Sequence, residues 1–464
     1  MPAKIHNSAS VLNEATAHAR RGAWREAYTA FRQAVAVNPM AFAAQCGLAA
    51  AALQIGAVDE ALLASEMALA LAPDSIDALI NRVNALVRAG DSRGALPLAQ
   101  RAAALAPTDR DVQRTLARTL ERDNQLAAAI TSYDQLLATR DDPVTRYNRG
   151  IARLTHGDLP GAWADYESRW ETPAFASWKR RWPAAVPLWT GTPLAAGTLV
   201  LHAEQGAGDT IMFARFAEQA AALAPATRLL VPASLVSLLS GQCGAVEVVD
   251  RAAATAWDDA AAHSPLGSLP HRLHHGSDRR DNATGITGWL RVPTGAVTSL
   301  PPRPAGRAPR LGLAWAGNPA HPFDRLRSLP LPALQALLQL PGIEWVALQA
   351  DARLDDLQQV VGGDAVHRPG PFPDFAATAA ACAACDAIVT VDSAVAHLAG
   401  SLGVPTVTLL PWTPDWRWQL GTETTPWYPG MRLLRQPRPL DWMSVVAAVP
   451  SALGALLASH RIVS

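Results

Sequence analysis

The sequence predicts an α+α/β multidomain chain, with a helical solenoid followed by two α/β domains that each carry a parallel sheet. Three observations predict it. Glycine, alanine and proline recur with a 34-residue period through the first part. From about residue 195 that period gives way to buried-type strands alternating with helices. The same alternation then restarts after a stretch rich in Pro, Gly and Arg at 291–309.

Composition sets the bounds. A chain of 464 residues with 49% hydrophobic residues is long and apolar enough for several buried cores. Lys plus Arg balances Asp plus Glu at 40 each, so no global field draws the chain to nucleic acid or to an anionic membrane. The opening residues Met1 to Asn7 have no apolar signal core, and the Ala-rich runs are broken before they could span a bilayer. The expectation is a soluble cytoplasmic protein without an integral membrane segment. Four cysteines without a disulfide spacing agree, and Cys382 and Cys385 read as packing residues of an Ala-rich helix.

The repeats come first in the chain. Gly22, Gly56 and Gly90 stand 34 residues apart, as do Pro39, Pro73 and Pro107. Ala27, Ala61 and Ala95 follow each glycine, and Ala34, Ala68 and Ala102 follow those. The frame continues through Asn124, Ala129 and Tyr133 and again through Gly150, Gly157, Ala162 and Tyr166. Glycine or asparagine ends a first helix in the left-handed region, small residues let a second helix pack on it, and proline blocks continuation. The pattern resembles tetratricopeptide repeats, about five of them, and residues 1–170 are assigned to it. Such solenoids present a concave face to extended peptides or protein surfaces; Asn81, Asn84, Arg114 and Arg118 are candidates for it. Oligomerisation or bracing is the other reading of the array.

Residues 171–194 form a joint. Trp163, Trp170, Trp178, Trp182 and Trp189 alternate with Pro173, Pro183 and Pro187, a composition suited to docking the repeats on the next domain. Sugar stacking is the second reading.

Residues 195–300 open with a strand at Thr198–His202, a glycine-bearing loop through Gly206 and Gly208, and a helix expected over Asp209–Leu223. Strands at Arg228–Pro232 and Val246–Asp250 with a helix near Ser234–Ser240 continue a parallel α/β pattern, which binds ligands at strand carboxyl ends. A dinucleotide fingerprint fails: Ile211 occupies its third glycine position and no acidic residue ends the second strand. A Walker loop fails for want of Gly-Lys-Ser/Thr.

After the linker, 301–309, the last domain (310–464) restarts with a strand at Arg310–Trp315, a loop carrying Gly317 and Asn318, a helix at Leu331–Leu340 and a strand at Ile343–Gln349. A strand at Ala387–Val391 then runs into Asp392, Ser393, Ala394 and His397, and the next strand spans Thr406–Leu410. A helix beginning there offers unpaired N–H groups and a positive dipole to a diphosphate. Asp392 is expected to cap it, with His397 one turn below Ser393.

Asp-Ser-Ala-x-x-His followed by Ala-Gly-x-Leu-Gly-x-Pro resembles the nucleotide-sugar-binding signature of the ADP-heptose heptosyltransferase-like glycosyltransferases of family 9. The resemblance covers about 195–450 and implies the GT-B fold of two Rossmann-like domains, with the donor held mainly by the second. In that family a Gly-Asp pair after the first strand supplies a catalytic base, matched here by Gly208 and Asp209. A basic residue near a Leu-Pro pair contacts donor phosphates, matched by Arg327 before Leu329-Pro330, with arginine in place of the commoner lysine. Asp209 has a second reading, as a helix cap. Asp415 and Arg417, within Trp412 to Trp418, are further donor-site candidates beside a reading as interdomain filling.

The resemblance implies inverting, metal-independent transfer without a cofactor, the nucleotide sugar being substrate. No Asp-x-Asp occurs in the α/β half, since Asp109-Arg110-Asp111 lies in the repeats, and His271, His274 and His275 lack partnered ligands. The expected partners are a nucleotide-sugar donor and a protein or peptide acceptor in the repeat groove, by analogy with flagellin glycosyltransferases of this layout. The rival is a noncatalytic repeat adaptor with a degenerate transferase half.

Overall fold

The computed structural model describes residues 8–274, 288–298, 300–301, 308–349 and 351–461. The expected linker lies mostly outside the described residues, as do Met1 to Asn7 and His275. Contacts divide the chain into two compact units, Met1–Ala152 and Arg153–Ser464.

The first unit is built from α1 (Ser8–Arg20), α2 (Trp24–Val37), α3 (Phe42–Ile55), α4 (Val58–Leu71), α5 (Ile76–Ala89), α6 (Ser92–Leu105), α7 (Arg110–Arg122), α8 (Leu126–Thr139) and most of α9 (Pro143–His156). The periodic residues do what their chemistry requires. Gly56 and Gly90 end α3 and α5 at φ 82° and 94°, and Asn124 takes the same left-handed turn at φ 63° after α7. Ala27, Ala61, Ala95 and Ala129 are fully buried at helix contacts, where a larger side chain has no room. Asp91 and Asp109 cap α6 and α7 by accepting backbone N–H bonds at 2.8 and 2.9 Å. Such caps contribute about 1 kcal/mol each.

The second unit starts with the end of α9 and α10 (Leu159–Glu167), a 3₁₀ turn at Ser168–Glu171, and α11 (Ala176–Lys179). Then come β1 (Thr198–His202), α12 (Ala207–Ala214), α13 (Ala217–Ala221), β2 (Ala226–Val231), α14 (Ala233–Leu239), β3 (Glu247–Asp250), β4 (Ala260–Pro265) and α15 (Leu269–Arg272). The single helix expected over Asp209–Leu223 is two helices. The first begins at Ala207 because Gly206 is its cap and the Asp209 carboxylate reaches back to the Gly206 N–H. All described pairings in this sheet are parallel, in the order β3-β2-β1-β4.

The last part holds β5 (Arg310–Ala314), α16 (Asp324–Arg327), α17 (Leu331–Leu338), β6 (Glu344–Ala347), α18 (Phe375–Ala383), β7 (Ala387–Val391), α19 (Ala394–Leu402), β8 (Thr406–Leu410), β9 (Met431–Arg435) and α20 (Trp442–Arg461). Its parallel sheet runs β6-β5-β7-β8-β9. Strands β5, β7 and β8 are buried throughout, which explains their continuous apolar runs. Leu311, Leu313, Val389 and Leu409 pack with Leu334 and Leu337 of α17 and Val445 and Val449 of α20. Each such side chain contributes about 1.5–3 kcal/mol when fully buried.

Of the five tryptophans from Trp163 to Trp189, Trp163, Trp170 and Trp189 are buried and Trp178 and Trp182 half-buried, and the Trp189 indole donates to the Thr192 carbonyl at 2.8 Å. Cys382 and Cys385 are buried free thiols, and burial pushes the Cys385 thiol up to about 12. Among the described residues no helix is long and apolar enough to cross a membrane.

Candidate functional site

The candidate residues sit on four loops, each following a strand at its carboxyl end: after β1, β5, β7 and β8. Helices α12 and α19 bring the first and third loops together. A β-carbon on Gly208 would lie 2.7 Å from Cδ2 of His397 and 3.3 Å from the Ala394 backbone, so only glycine permits this approach.

Asp209 lies at the third position of α12. One carboxylate oxygen, Oδ2, accepts the Gly206 N–H at 3.0 Å, and Oδ1 accepts from Nη2 of Arg417. Arg417 is buried; its Nη1 donates to Asp415 Oδ1 at 2.7 Å, and its guanidinium lies 4.3 Å from the Trp416 ring centroid. Burial opposes the Arg417 charge, and Asp209 and Asp415 overcome that penalty and hold the cation charged. The arrangement thus gathers Asp209 from the first sheet and Asp415 and Arg417 from the second.

At the head of α19 the cap position is Ser393, which corrects the expectation that Asp392 caps the helix. The Ser393 side chain makes no cap bond; its hydroxyl lies 3.2 Å from that of Thr390. Ala394 is the first helical residue. Asp392 is buried, and burial first, then the neighbouring Asp415, push its carboxyl up to about 6 against the opposing pull of Arg327 and Arg417. His397 is buried between Tyr428, whose hydroxyl lies 2.9 Å from Nδ1, and Trp418, stacked at 5.2 Å. Burial, then Arg417, lower its imidazole to about 3, so it is neutral at ordinary pH.

After β5, the Gly317 N–H donates to Ser328 Oγ at 3.0 Å, and Arg327 pairs with Asp324 at 3.3 Å. A β-carbon on Gly317 would come within 2.5 Å of both Arg327 Nη2 and Asp324 Oδ1. Asn318 is exposed, and its side chain accepts from the Ala320 N–H at 3.0 Å, a local turn bond.

Several residues of this neighbourhood carry no sequence signature. Asp324 orients Arg327, and its i,i+3 spacing is the one clue. His321 is exposed and accepts the Phe323 N–H through Nδ1 at 3.2 Å. Arg215 donates to the Trp427 carbonyl at 2.8 Å and lies 4.8 Å from the Tyr428 ring centroid. Among the described residues, no group of three or more His, Cys, Asp and Glu side chains has metal-holding geometry.

Tetratricopeptide-repeat families match residues 12–76 and 86–154, and glycosyltransferase family 9 (heptosyltransferase) matches 373–435, the segment holding Asp392 to His397, Asp415 and Arg417. The chain thus carries segments similar to tetratricopeptide repeats and, downstream, a segment similar to glycosyltransferase family 9. Protein FlbA of Caulobacter vibrioides is 24% identical to it over 376 residues, 72% of this chain and 60% of that protein. The chain therefore spans about 60% of the length of this curated relative. Solved structures similar to the repeat segment include a tetratricopeptide-repeat protein of Thermus thermophilus, with 23% identity, TM-score 0.33, and coverage of 38% of this chain and 95% of that one. Another, from Parabacteroides merdae, shows 18% identity, TM-score 0.34, and coverage of 37% and 67%. The matched segment supplies the α19 head and the Asp415–Arg417 pair, while Asp209, on α12, lies outside it.

Proposed function

We propose that this protein transfers a sugar from a nucleotide-sugar donor to a protein or peptide acceptor recruited by its repeats, with inversion and without a metal, in the cytoplasm. The observation that carries the reading is the meeting of Asp209 with the Arg417–Asp415 pair, beside the α19 head that Gly208 touches.

In this reaction the acceptor hydroxyl oxygen attacks the anomeric carbon, its proton passes to the Asp209 carboxylate, and the bond from that carbon to the diphosphate breaks. Each Asp209 oxygen already accepts one hydrogen bond but keeps a second lone pair for the incoming proton. The leaving diphosphate gathers negative charge. Arg327 and the N–H groups at the start of α19, with Ser393 at its cap, are suited to stabilise it. Asp392, raised to about 6, adds no opposing charge below that pH and an opposing one above it. Neutral His397 serves by shape and hydrogen bonding. Gly317 lets Arg327 lie flat against its loop.

One observation favours a noncatalytic adaptor instead: both oxygens of Asp209 are engaged within the protein. A thermal-shift panel with UDP, GDP, ADP and CMP tests the donor-binding half of the proposal, because a ligand of the native state raises the melting point by mass action. A rise with one nucleotide diphosphate that is lost in Arg327→Ala is expected. No rise with any of them, at concentrations up to millimolar, would contradict it.

A further inference from the structure

The buried charges on either side of the joint take no part in that mechanism. Arg169, in the 3₁₀ turn after α10, is fully buried, and Glu204, between β1 and α12, is nearly so. Arg169 Nη2 donates to Glu204 Oε1 at 2.9 Å and to Ser268 Oγ at 2.8 Å, while Nη1 donates to Glu167 at 2.5 Å. Its guanidinium is flanked by Tyr166 and Trp170, with ring centroids at 4.3 and 4.4 Å. Gly267 makes room: a β-carbon there would sit 2.1 Å from Glu204 Oε1. A buried ion pair is seldom the most stable filling for such a space, since apolar residues of like volume often do as well or better. Its directional bonds do fix geometry, and what they fix is the start of the Asp209 loop.

Three consecutive residues there are each pinned. Arg169 holds Glu204. Gln205, in the left-handed region at φ 61°, donates from Nε2 to the Tyr166 hydroxyl at 3.2 Å. Gly206, the cap of α12, donates to Asp209. The chain of contacts then closes on itself. Asp209 binds Arg417, Arg417 lies over Trp416, and the Trp416 ring meets Tyr166 edge to face at 6.0 Å. Tyr166 and Arg169, three residues apart, thus touch the base loop directly and the donor-side loop through Trp416.

Resting on the glycosyltransfer reading above, we infer that Tyr166 and Arg169 are positioning residues for Asp209, acting through Gln205 and Glu204. The helical segment before the joint is then a working part of the transfer site.

Two readouts test this on the full chain. Tyr166→Phe removes one hydroxyl and keeps the ring. The double variant Arg169→Met, Glu204→Met replaces the buried pair with apolar side chains of similar length, which a merely structural role would accept. Amide hydrogen exchange over Gly206–Ile211 is expected to quicken about tenfold in both, with exchange elsewhere unchanged. Release of nucleoside diphosphate from UDP-, GDP- and ADP-linked sugars is expected to lose about tenfold or more in kcat at unchanged donor KM. Wild-type exchange in Tyr166→Phe overturns the inference whether or not the double variant folds. So does a loosened loop with wild-type kcat. If the wild-type protein releases no nucleotide from any of these sugars, the transfer reading fails, and the exchange data still decide whether Tyr166 and Arg169 hold the loop.

Discussion

Arg417, on the loop after β8, donates to Asp209 on the first turn of α12, so the guanidinium of one α/β half clasps the carboxylate of the other. Asp415 takes a second donor of the same fork at 2.7 Å, leaving a buried cation between two partly exposed anions. Breaking such a cluster from the cation side leaves two partly solvated carboxylates without their cation.

Arg417→Ala is therefore expected to lower unfolding free energy by about 2 kcal/mol, between the values for buried and exposed pairs, because Asp209 and Asp415 both keep solvent contact. Denaturant melts measure it; an unchanged midpoint would show that the clasp contributes nothing net.

Gly208→Ala puts a β-carbon 2.7 Å from an imidazole already fixed by Tyr428 and Trp418. Overpacking of this kind costs about 1–3 kcal/mol, and it should separate α12 from α19. Gly206→Ala is the control: its φ is −88° and the nearest contact is 3.4 Å, to Asp209 Oδ2. Equal melting points for the two variants would refute the close-approach argument.

Asp392 gives a pH signature. Its folded-state pKa is raised, to about 6, so it is neutral below that value and negative above. Binding of an anionic nucleoside diphosphate near it is expected to weaken as pH rises through about 6, and Asp392→Asn should flatten that dependence. Calorimetric titration from pH 5 to 8 checks it. A wild-type slope persisting in the variant would assign the effect elsewhere.

Gly317→Ala should displace Arg327, whose Nη2 would lie 2.5 Å from the new β-carbon. Nucleotide affinity is expected to fall about tenfold, comparable to losing one charge-assisted contact. An unaltered Kd would remove Arg327 from the donor site.

Deleting residues 1–152, a cut at the boundary between the two units, is expected to preserve nucleotide binding and to abolish use of a protein acceptor. A cut at 160 would take Leu159 from α10, which belongs to the second unit, so the boundary chosen matters. Unchanged acceptor use by the shortened chain would refute recruitment by the repeats.

The sequence was legible where one residue type has one structural use. Gly56, Gly90 and Asn124 sit at the expected left-handed turns, and strands Ala387–Val391 and Thr406–Leu410 have the expected bounds. It was opaque where tertiary pairing decides. β4 reads Ala-Ala-Ala-His-Ser-Pro, with little strand propensity, and is a strand because it pairs with β1. Asp392 was the expected cap, and backbone geometry puts Ser393 there instead. Arg169 and Glu204 are 35 residues apart and carry no motif. The Asp209–Arg417 contact spans 208 residues, so the two ends were each visible as candidates and their union was not.

Whether Asp209 is the base is decided by Asp209→Asn, with single-turnover transfer and nucleotide binding measured on the same protein. The transfer rate is expected to fall about 10³-fold with nucleotide Kd within about twofold of wild type. Wild-type turnover in that variant would contradict the assignment.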